Sequence, residues 1–230
     1  MGAFDVKTVK VRNGRTLKWT YWSVSRDLQD TFAIHPTKEI EMSADQSDKS
    51  VLPLQGFVES ELSDQIMGIC SEIENIEGYA SDLGRLFVPH VTLGSWKLTP
   101  QELQEAESVF MCRLTGLSCI EVEASLKEDE KDGRLSCFLV PQITQPLLQF
   151  HSQVHERLSW DYEPFRQIDL PGSWWPHLTL FSIPSAQKDR IVPSLRRLSD
   201  IRTLRIERIG LIGFRPTRVI SEVRLDKAEP

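Results

Sequence analysis

The alternation of apolar and polar residues along the chain predicts short strands and amphipathic helices in an α+β order. "VLPLQGFV" at 51–58 predicts a buried strand, and "RLFVPHVTL" at 85–93 predicts another. Between them, apolar residues recur every three or four positions, which is the spacing of one helical stripe. This stripe consists of Leu62, Ile66, Ile69, Ile73 and Ile76.

A second helix is predicted to begin at Thr99. Thr99 can cap the helix, Pro100 suits its first turn, and Glu102 completes a capping box. Two strands should follow, "LSCIEVEASL" and "RLSCFLVP". The charged stretch "KEDEKDG" between them predicts a solvated turn.

The second half repeats this order of elements. "TQPLLQFHSQVHERLSW" predicts a helix that turns Leu147, Phe150, Val154 and Leu158 inward. "WWPHLTLFSIP" predicts a strand, and "SAQKDRIVPSLRRL" a helix that Pro193 should end or kink. Two last strands, "TLRIERIGLIGF" and "RVISEVRL", should meet at an Arg-Pro-Thr turn. The order of elements therefore indicates an approximate duplication.

The first fifty residues differ from the rest. Alternation over 6–25 around Asn13-Gly14 predicts a β-hairpin, because Asn-Gly suits a type I′ turn. The polar stretch 41–50 predicts a loop. We therefore expect an N-terminal extension over 1–50 and a bilobal main domain over 51–230.

Composition limits the class of protein. The chain has 230 residues, 40% of them hydrophobic, and a net charge of −6, so general attraction to nucleic acid is not expected. No apolar run is long enough to span a membrane. We expect a cytoplasmic monomer without an obligate protein partner. The four cysteines fit buried, reduced thiols and no zinc pattern: Cys70, Cys112, Cys119 and Cys137.

One short motif occurs twice, as "PHVTL" at 89–93 and "PHLTL" at 176–180. In a strand, His90 shares a face with Thr92, and His177 with Thr179. Two imidazoles can serve a phosphodiester, one accepting a proton from water and the other protonating the leaving oxygen. The hydroxyls can donate to the non-bridging oxygens. Such chemistry needs neither a metal nor another cofactor.

This pair of His-apolar-Thr-apolar tetrads resembles the two-histidine (2H) phosphoesterase superfamily, which includes RNA 2′,5′-ligase-like proteins and cyclic phosphodiesterases. The resemblance covers about residues 51 to 225. It implies that His90 and His177 are catalytic and that Thr92 and Thr179 bind phosphate. It also implies a bilobal, duplicated α+β fold, with two antiparallel sheets around a central cleft and helices on the outside.

The activity that the resemblance implies is metal-independent hydrolysis of a 2′,3′-cyclic phosphate, on a nucleotide or an RNA end, or of a related 2′,5′ or 1″,2″-cyclic linkage. Three alternatives stay open: an RNA-end nuclease, a 2′,5′ RNA ligase-like enzyme, and a catalytically silent nucleotide-binding module. The sequence does not distinguish acid from base among the two histidines, nor a 2′- from a 3′-phosphate product.

Other residues carry weaker signals. Trp174 and Trp175 can either stack on a nucleobase or pack in the core, and alternation turns Trp175 towards the face of His177. His151 and His155 have a zinc-ligand spacing but no evident third ligand, and both should face solvent. Five C-terminal arginines could follow a phosphate backbone, although a solvated face is favoured: Arg205, Arg208, Arg215, Arg218 and Arg224.

Overall fold

The N-terminal residues contain the predicted hairpin strands. A computed structural model describes residues 4–10, 16–22, 49–77, 88–213 and 217–227, with backbone alone for 4–10, 16–22 and 74–77. β1 (Phe4–Lys10) and β2 (Thr16–Trp22) pair antiparallel, which confirms these two strands. The Asn13-Gly14 turn and residues 41–48 of the predicted loop lie outside the described residues.

The main body contains four helices and eight strands among the described residues. In chain order they are β3 (Ser50–Val58), α1 (Ser60–Glu77), β4 (His90–Leu98), α2 (Pro100–Leu114), β5 (Ile120–Lys131), β6 (Arg134–Pro141), α3 (Gln145–Leu158), β7 (Glu163–Pro164), β8 (Leu178–Pro184), α4 (Lys188–Ser199), β9 (Thr203–Gly213) and β10 (Arg218–Arg224). The α+β class is therefore confirmed, and the predicted order of strands and helices is present.

The strands of the main body form one hydrogen-bonded path, and the expected arrangement in two antiparallel sheets is not confirmed. Their order is β7-β4-β3-β9-β5-β6-β8, with β10 on β9, and all pairs are antiparallel. The long strand β5 makes the connection: Ile120–Glu123 pair with β9, whereas Ala124–Lys131 pair with β6. One continuous strand thus serves both halves of the duplicated pattern.

The predicted helical stripes form much of the core. In α1 the stripe residues Leu62, Ile66, Ile69 and Ile73 are buried, while the side chain of Ile76 lies outside the described residues. The predicted inward side of α3 is also buried, namely Leu147, Phe150, Val154 and Leu158. Burial of one face of each helix against the sheet supplies the main driving force for this packing.

The start of α2 agrees with its sequence signals. The Thr99 side chain accepts a hydrogen bond from the backbone N–H of Glu102 at 3.2 Å. The Glu102 carboxylate accepts from the backbone N–H of Thr99 at 2.7 Å, and Pro100 is the first helical residue. The capping box is therefore confirmed, because two N–H groups that the helix leaves unpaired find side-chain acceptors.

Most of the charged stretch, residues 127–131, belongs to β5 and not to the solvated turn that we expected. The β5–β6 ladder continues to the pair Lys131↔Arg134, so only Asp132 and Gly133 remain for the turn. Both have positive φ, 48° and 75°, as in a two-residue type I′ turn. The backbone pairing with β6 extends the strand, although its side chains are charged.

Pro193 does not end its helix, so that part of the prediction is wrong. α4 continues from Lys188 to Ser199 with Pro193 inside it. Ile191, Leu195 and Leu198 are buried on both sides of the proline. Burial of this stripe holds both parts of the helix against the protein and offsets the hydrogen bond that proline cannot make.

The cysteines only partly follow the expected burial. Cys119 and Cys137 are buried, Cys70 is half-buried and Cys112 is exposed on α2, and all four are free thiols. Burial raises the pKa of Cys137 to about 12, so this thiol stays protonated. None of the helices in the described part of the chain has the length and apolar character of a membrane-spanning segment.

Gly94 in β4 should not tolerate a side chain. A Cβ at this position would meet Cη2 and Cζ3 of the Trp96 ring, the latter at 2.9 Å. We expect Gly94→Ala to destabilise the protein by about 1–3 kcal/mol, the usual cost of overpacking, measured by urea unfolding. The matched control is Gly68→Ala in α1, where a Cβ meets nothing within 4 Å. That change should be neutral or stabilising, and equal losses from both would contradict the packing.

Candidate functional site

The first motif lies at the start of β4. His90 and Thr92 are half-buried, whereas Val91 and Leu93 between and after them are buried. The strand begins at His90 and not at residue 85 as predicted, since Val88 and Pro89 are not in the strand. Alternation therefore places the imidazole and the hydroxyl on one face of the sheet.

The second motif has the same burial pattern around a later strand start. Thr179 is half-buried in β8 between the buried Leu178 and Leu180. His177 is half-buried and lies directly before the strand, which was predicted to begin at 174. Pro176 has no N–H to give to a ladder, so it delays the start of the strand.

Both histidines are oriented by the same backbone contact. His90 Nδ1 lies 2.8 Å from the carbonyl oxygen of Val88, and His177 Nδ1 lies 3.1 Å from that of Trp175. A carbonyl can only accept, so each Nδ1 carries the proton. In the neutral imidazole the lone pair is then on Nε2, the atom on the far side of the ring from this contact.

Each motif strand also has a β-bulge directly after its threonine. In β4, Leu54 pairs with Gly94 and Gln55 with Thr92, so Leu93 is the extra residue. In β8, Cys137 pairs with Phe181 and Phe138 with Thr179, so Leu180 is the extra residue. A bulge bends its strand and redirects the neighbouring side chains, which here are the histidine and threonine of each motif.

The carbonyls of the two bulged leucines are held by helices from the opposite halves. His151 and His155 of α3 both place Nε2 at 2.8 Å from the carbonyl oxygen of Leu93. Cys70 of α1 places its Sγ 3.8 Å from the carbonyl oxygen of Leu180. α3, which precedes β8 in sequence, therefore contacts β4, and α1, which precedes β4, contacts β8.

The contacts of His151 and His155 correct our expectation that both face solvent. His151 is 1% exposed and His155 is half-buried. Burial lowers the pKa of His151 to about 3 and that of His155 as well, so both are neutral at physiological pH. Both donate their Nε2–H group to the carbonyl oxygen of Leu93. No group of three metal-ligating side chains occurs among the described residues.

The two tryptophans before the second motif occupy different environments. Trp174 is 6% exposed, stacks on His151 with ring centroids 3.9 Å apart, and donates from Nε1 to the carbonyl oxygen of Thr92 at 2.8 Å. Trp174 lies just before the second motif and thus links it to the backbone of the first motif. Trp175 is half-buried and stacks on His177 at 3.9 Å. Of the two, only Trp175 has an exposed surface large enough to meet a ligand.

Electrostatics links the two histidines. The pKa of His177 is lowered to about 4, mainly by burial, with smaller contributions in the same direction from the charges of Arg166 and His90. Together these outweigh the opposing effects of the Trp175 carbonyl and of Asp169 on the pKa. Burial also lowers the pKa of His90, and the charge of Arg166 acts in the same direction. Both imidazoles therefore lie within electrostatic reach of one guanidinium, and both are neutral near pH 7.

Arg166 is fixed by a buried polar network. Its Nε and Nη2 donate to the Asp169 carboxylate at 3.0 and 2.9 Å, a bidentate pair. Asp169 is 3% exposed and also accepts from Ser95 Oγ at 2.5 Å. The carbonyl of Ser95 accepts from the backbone N–H of Phe165 at 2.8 Å. The network ties the segment before the second motif to the strand of the first.

The residues that pair with the two threonines differ. Gln55 of β3 lies opposite Thr92, and its Nε2 is 3.0 Å from Nε2 of His90. Phe138 of β6 lies opposite Thr179, and its ring meets that of His177 edge-on at 5.8 Å. The two halves therefore share backbone geometry but not the chemistry beside the imidazole.

Sequence reasoning missed Gln55, Arg166, Asp169 and Ser95. A glutamine inside the apolar run "VLPLQGFV" was a usable signal, because a polar residue in a buried strand needs a partner. The other three gave no signal, since a charged pair three residues apart in a loop is common on any surface.

The C-terminal arginines are not arranged as one basic track. Arg208 forms an ion pair with Glu222 at 3.0 Å and covers the ring of Phe57. Arg205 lies 3.6 Å from Glu207, whereas Arg218 and Arg224 are exposed and Arg215 is outside the described residues. This arrangement agrees better with the favoured interpretation of a solvated face.

Similar chains exist among solved structures, at low identity. A crystal structure described as a phosphoesterase has a TM-score of 0.48 and 12% identity, covering 78% of this chain and 100% of that one. E. coli LigT in complex with phosphate has a TM-score of 0.43 and 13% identity, covering 79% and 100%. Kluyveromyces marxianus Usb1 has a TM-score of 0.43 and 13% identity, covering 75% and 98%. No family model and no curated protein matches the chain. Similarity at this level assigns no function to this chain.

The buried histidines should make the protein sensitive to mild acid. The folded-state pKa values of His151 and His177, about 3 and about 4, lie below the ordinary 6.5. The unfolded chain therefore binds more protons between pH 6.5 and 4, and the free energy of unfolding should fall as the pH falls through this window. His151→Gln keeps a donor for Leu93 but cannot titrate.

We expect His151→Gln to reduce the pH dependence by up to about 1.4 kcal/mol per pH unit, the effect of one proton. The measurement is urea unfolding of both proteins from pH 7 to pH 4. An unchanged slope would show that His151 is already protonated in the folded state.

Proposed function

We propose that the chain is a metal-independent phosphodiesterase that hydrolyses a 2′,3′-cyclic phosphate on a nucleotide or an RNA end, or a related cyclic linkage, with His90 and His177 as acid and base. One observation carries this proposal. Two imidazoles that are oriented by identical Nδ1 contacts, each beside a strand threonine on the same face, lie within electrostatic reach of each other.

The neutral resting state of the site suits an anionic substrate. Burial and Arg166 lower the pKa of both imidazoles, and a phosphodiester would bring the opposite charge. That negative charge raises the pKa of a neighbouring imidazole, so one histidine takes up a proton when substrate binds. The bound complex then contains one neutral and one protonated imidazole, as general acid–base catalysis requires.

The hydroxyls and Arg166 would stabilise the phosphate. Thr92 and Thr179 share the faces of the two histidines and can donate to the non-bridging oxygens, whose charge grows in the transition state. Arg166 adds a fixed positive charge that the pair with Asp169 holds in place. Because two nitrogen bases and a guanidinium supply all the proton transfers and charge, the mechanism needs no metal ion.

The surroundings of His177 support a nucleotide-type substrate. Trp175 covers one face of the imidazole and is partly exposed, so its outer surface can contact a base or ribose next to the phosphate. Trp174 is buried and acts in packing. We also propose that residues 51–230 form the catalytic domain and that residues 1–50 are an addition to it.

The two strongest alternatives predict different products. An RNA-end nuclease would shorten a linear oligonucleotide, and a 2′,5′ ligase-like enzyme would join a cyclic phosphate to a 5′-hydroxyl. A silent module would bind nucleotides without turnover. We favour hydrolysis because each Nδ1 contacts a backbone carbonyl, which directs Nε2 of His177 and, once the Gln55 amide is displaced, Nε2 of His90 towards water and a leaving oxygen.

The histidines are tested by hydrolysis of cyclic mononucleotides and of short RNAs with cyclic-phosphate ends, in excess chelator. His90→Ala and His177→Ala should each lower the rate by at least about 10²-fold, the effect of one general acid or base. The double variant should lose much less than the product of both, because the pair acts as a unit. Activity that the chelator abolishes and only zinc or manganese restores would overturn the mechanism.

The threonines are tested by removing the hydroxyl and keeping the shape. Thr92→Val and Thr179→Val should fold normally and lower kcat/KM by roughly 10–10³-fold, the effect of one lost donor to a developing oxyanion. Thr203→Val is the matched control, since Thr203 is exposed in β9. If the control and the two site variants had the same activity, the hydroxyls would not bind the phosphate.

A further inference from the structure

The site is built from two similar halves, yet the groups that touch its two imidazoles are chemically different. His90 meets the side-chain amide of Gln55, with 3.0 Å between the two Nε2 atoms. The side chains beside His177 are aromatic: Trp175 stacks on it with planes 22° apart, and Phe138 meets it edge-on. Any difference in function between the histidines should start from this difference in contacts.

The Gln55 contact favours one protonation state of His90. Nδ1 of His90 donates to Val88, so in the neutral ring Nε2 can only accept. The amide N–H of Gln55 supplies a matching donor. In the observed orientation of the Gln55 amide, protonation of His90 would place two donors opposite each other, so the amide would have to turn over to keep a hydrogen bond. Gln55 therefore stabilises the neutral form of His90.

The Trp175 contact has the opposite preference. The face of an indole ring carries negative electrostatic potential and attracts a cation stacked on it. Trp175 lies against His177 with ring centroids 3.9 Å apart. Its effect favours the protonated form of His177, and no amide lies at this position because the residue opposite Thr179 is Phe138. The two contacts thus bias the two histidines in opposite directions.

We propose that Gln55 is a positioning residue that keeps His90 neutral with its Nε2 lone pair available, which makes His90 the general base and His177 the general acid. The inference rests on the proposed function. Water gives a proton to Nε2 of His90 while its oxygen forms the new bond to phosphorus. The bond from phosphorus to the leaving sugar oxygen breaks, and that oxygen takes the proton from Nε2 of His177. Exchange with solvent then returns both imidazoles to their starting states.

The attacking water has to replace the Gln55 amide at Nε2 of His90. Gln55 is half-buried and lies opposite Gly210 of β9, where the ring of Phe57 fills the space beside the glycine. Displacement costs one hydrogen bond, and the released amide can donate to the phosphate instead. Gln55 therefore orients His90 in the empty site without blocking it in the complex.

Burial and nearby charged groups also influence the pKa of His90. Burial lowers the pKa of His90, the contact with the Val88 carbonyl raises it, and the charge of Arg166 lowers it. His177 interacts electrostatically with His90, and Arg208 pairs with Glu222 and covers the ring of Phe57, the residue that lies opposite His90 in β3. None of these groups is altered by a substitution at Gln55.

The test follows His90 directly by NMR titration of its ring nitrogens, which does not need a substrate. Gln55→Met keeps the length of the side chain and removes the donor. Gln55→Glu replaces the donor with an acceptor. We expect the proton affinity of His90 to rise roughly three- to ten-fold in Gln55→Met, the scale of one hydrogen bond, and further in Gln55→Glu. Gln149→Met, at an exposed position of α3, should leave His90 unchanged.

A second readout concerns the role assignment. If His90 is the base, the acid limb of the kcat/KM profile should move to higher pH in Gln55→Met, and further in Gln55→Glu. Trp175→Leu should lower the proton affinity of His177 and leave that of His90 unchanged. An unchanged or lower proton affinity of His90 in both Gln55 variants would overturn the proposal, as would a proton on Nε2 of His90 in the wild-type free protein.

The outcomes of the two proposals are separable. Absence of turnover on every cyclic phosphate would overturn the proposed function and leave the titration of His90 interpretable. Normal turnover with an unchanged titration in both Gln55 variants would instead overturn the role of Gln55 alone. Thermal unfolding of each variant checks that the fold is intact.

Discussion

The carbonyl of Leu93 is the point on which the geometry of the site depends. A bulge removes it from the ladder of β4, and His151 and His155 hold it from one side of α3. A buried carbonyl without a donor would be costly, so the bulge and the two histidines stabilise each other. Because the bulge directly follows Thr92, this contact also determines how His90 and Thr92 are directed.

At the second motif, the carbonyl of the bulged leucine has a weaker hydrogen-bond donor. The bulge at Leu180 leaves a carbonyl that the thiol of Cys70 approaches at 3.8 Å. A thiol is a poor donor compared with an imidazole N–H. α3 contacts the first motif strand and α1 contacts the second. Each half of the domain therefore depends on the other. The site therefore requires both halves to fold together.

Burial has opposite consequences for the two kinds of histidine. For His151 it yields a neutral side chain whose hydrogen bonds are used in structure. For His90 and His177 it yields neutral side chains whose Nε2 atoms are directed away from the backbone. Arg166 strengthens this state from a fixed position, since Asp169 and Ser95 hold it. Under the proposed function, a negatively charged ligand would raise the pKa of a neighbouring imidazole, so that one of the two takes up a proton.

Local patterns in the sequence were sufficient for much of the fold. Periodicity located the stripes of α1 and α3, and the capping signals located the start of α2, because these features depend on residues within one or two turns. The repeated tetrad likewise placed each histidine and threonine on one face, since a strand alternates with a period of two. The α+β order also follows from such local information.

Contacts between distant segments decided the rest. β5 continues through a charged stretch because it pairs with β6. α4 continues past Pro193 because residues on both sides of the proline are buried. His151 is buried because α3 packs across the bulge of a strand 58 residues away. Gln55 reaches His90 from 35 residues away, and Ser95 reaches Asp169 from 74. The sequence by itself determined which residues could do the chemistry. Only the tertiary structure decided their partners, because hydrogen bonds and charges depend on distances that no local pattern specifies.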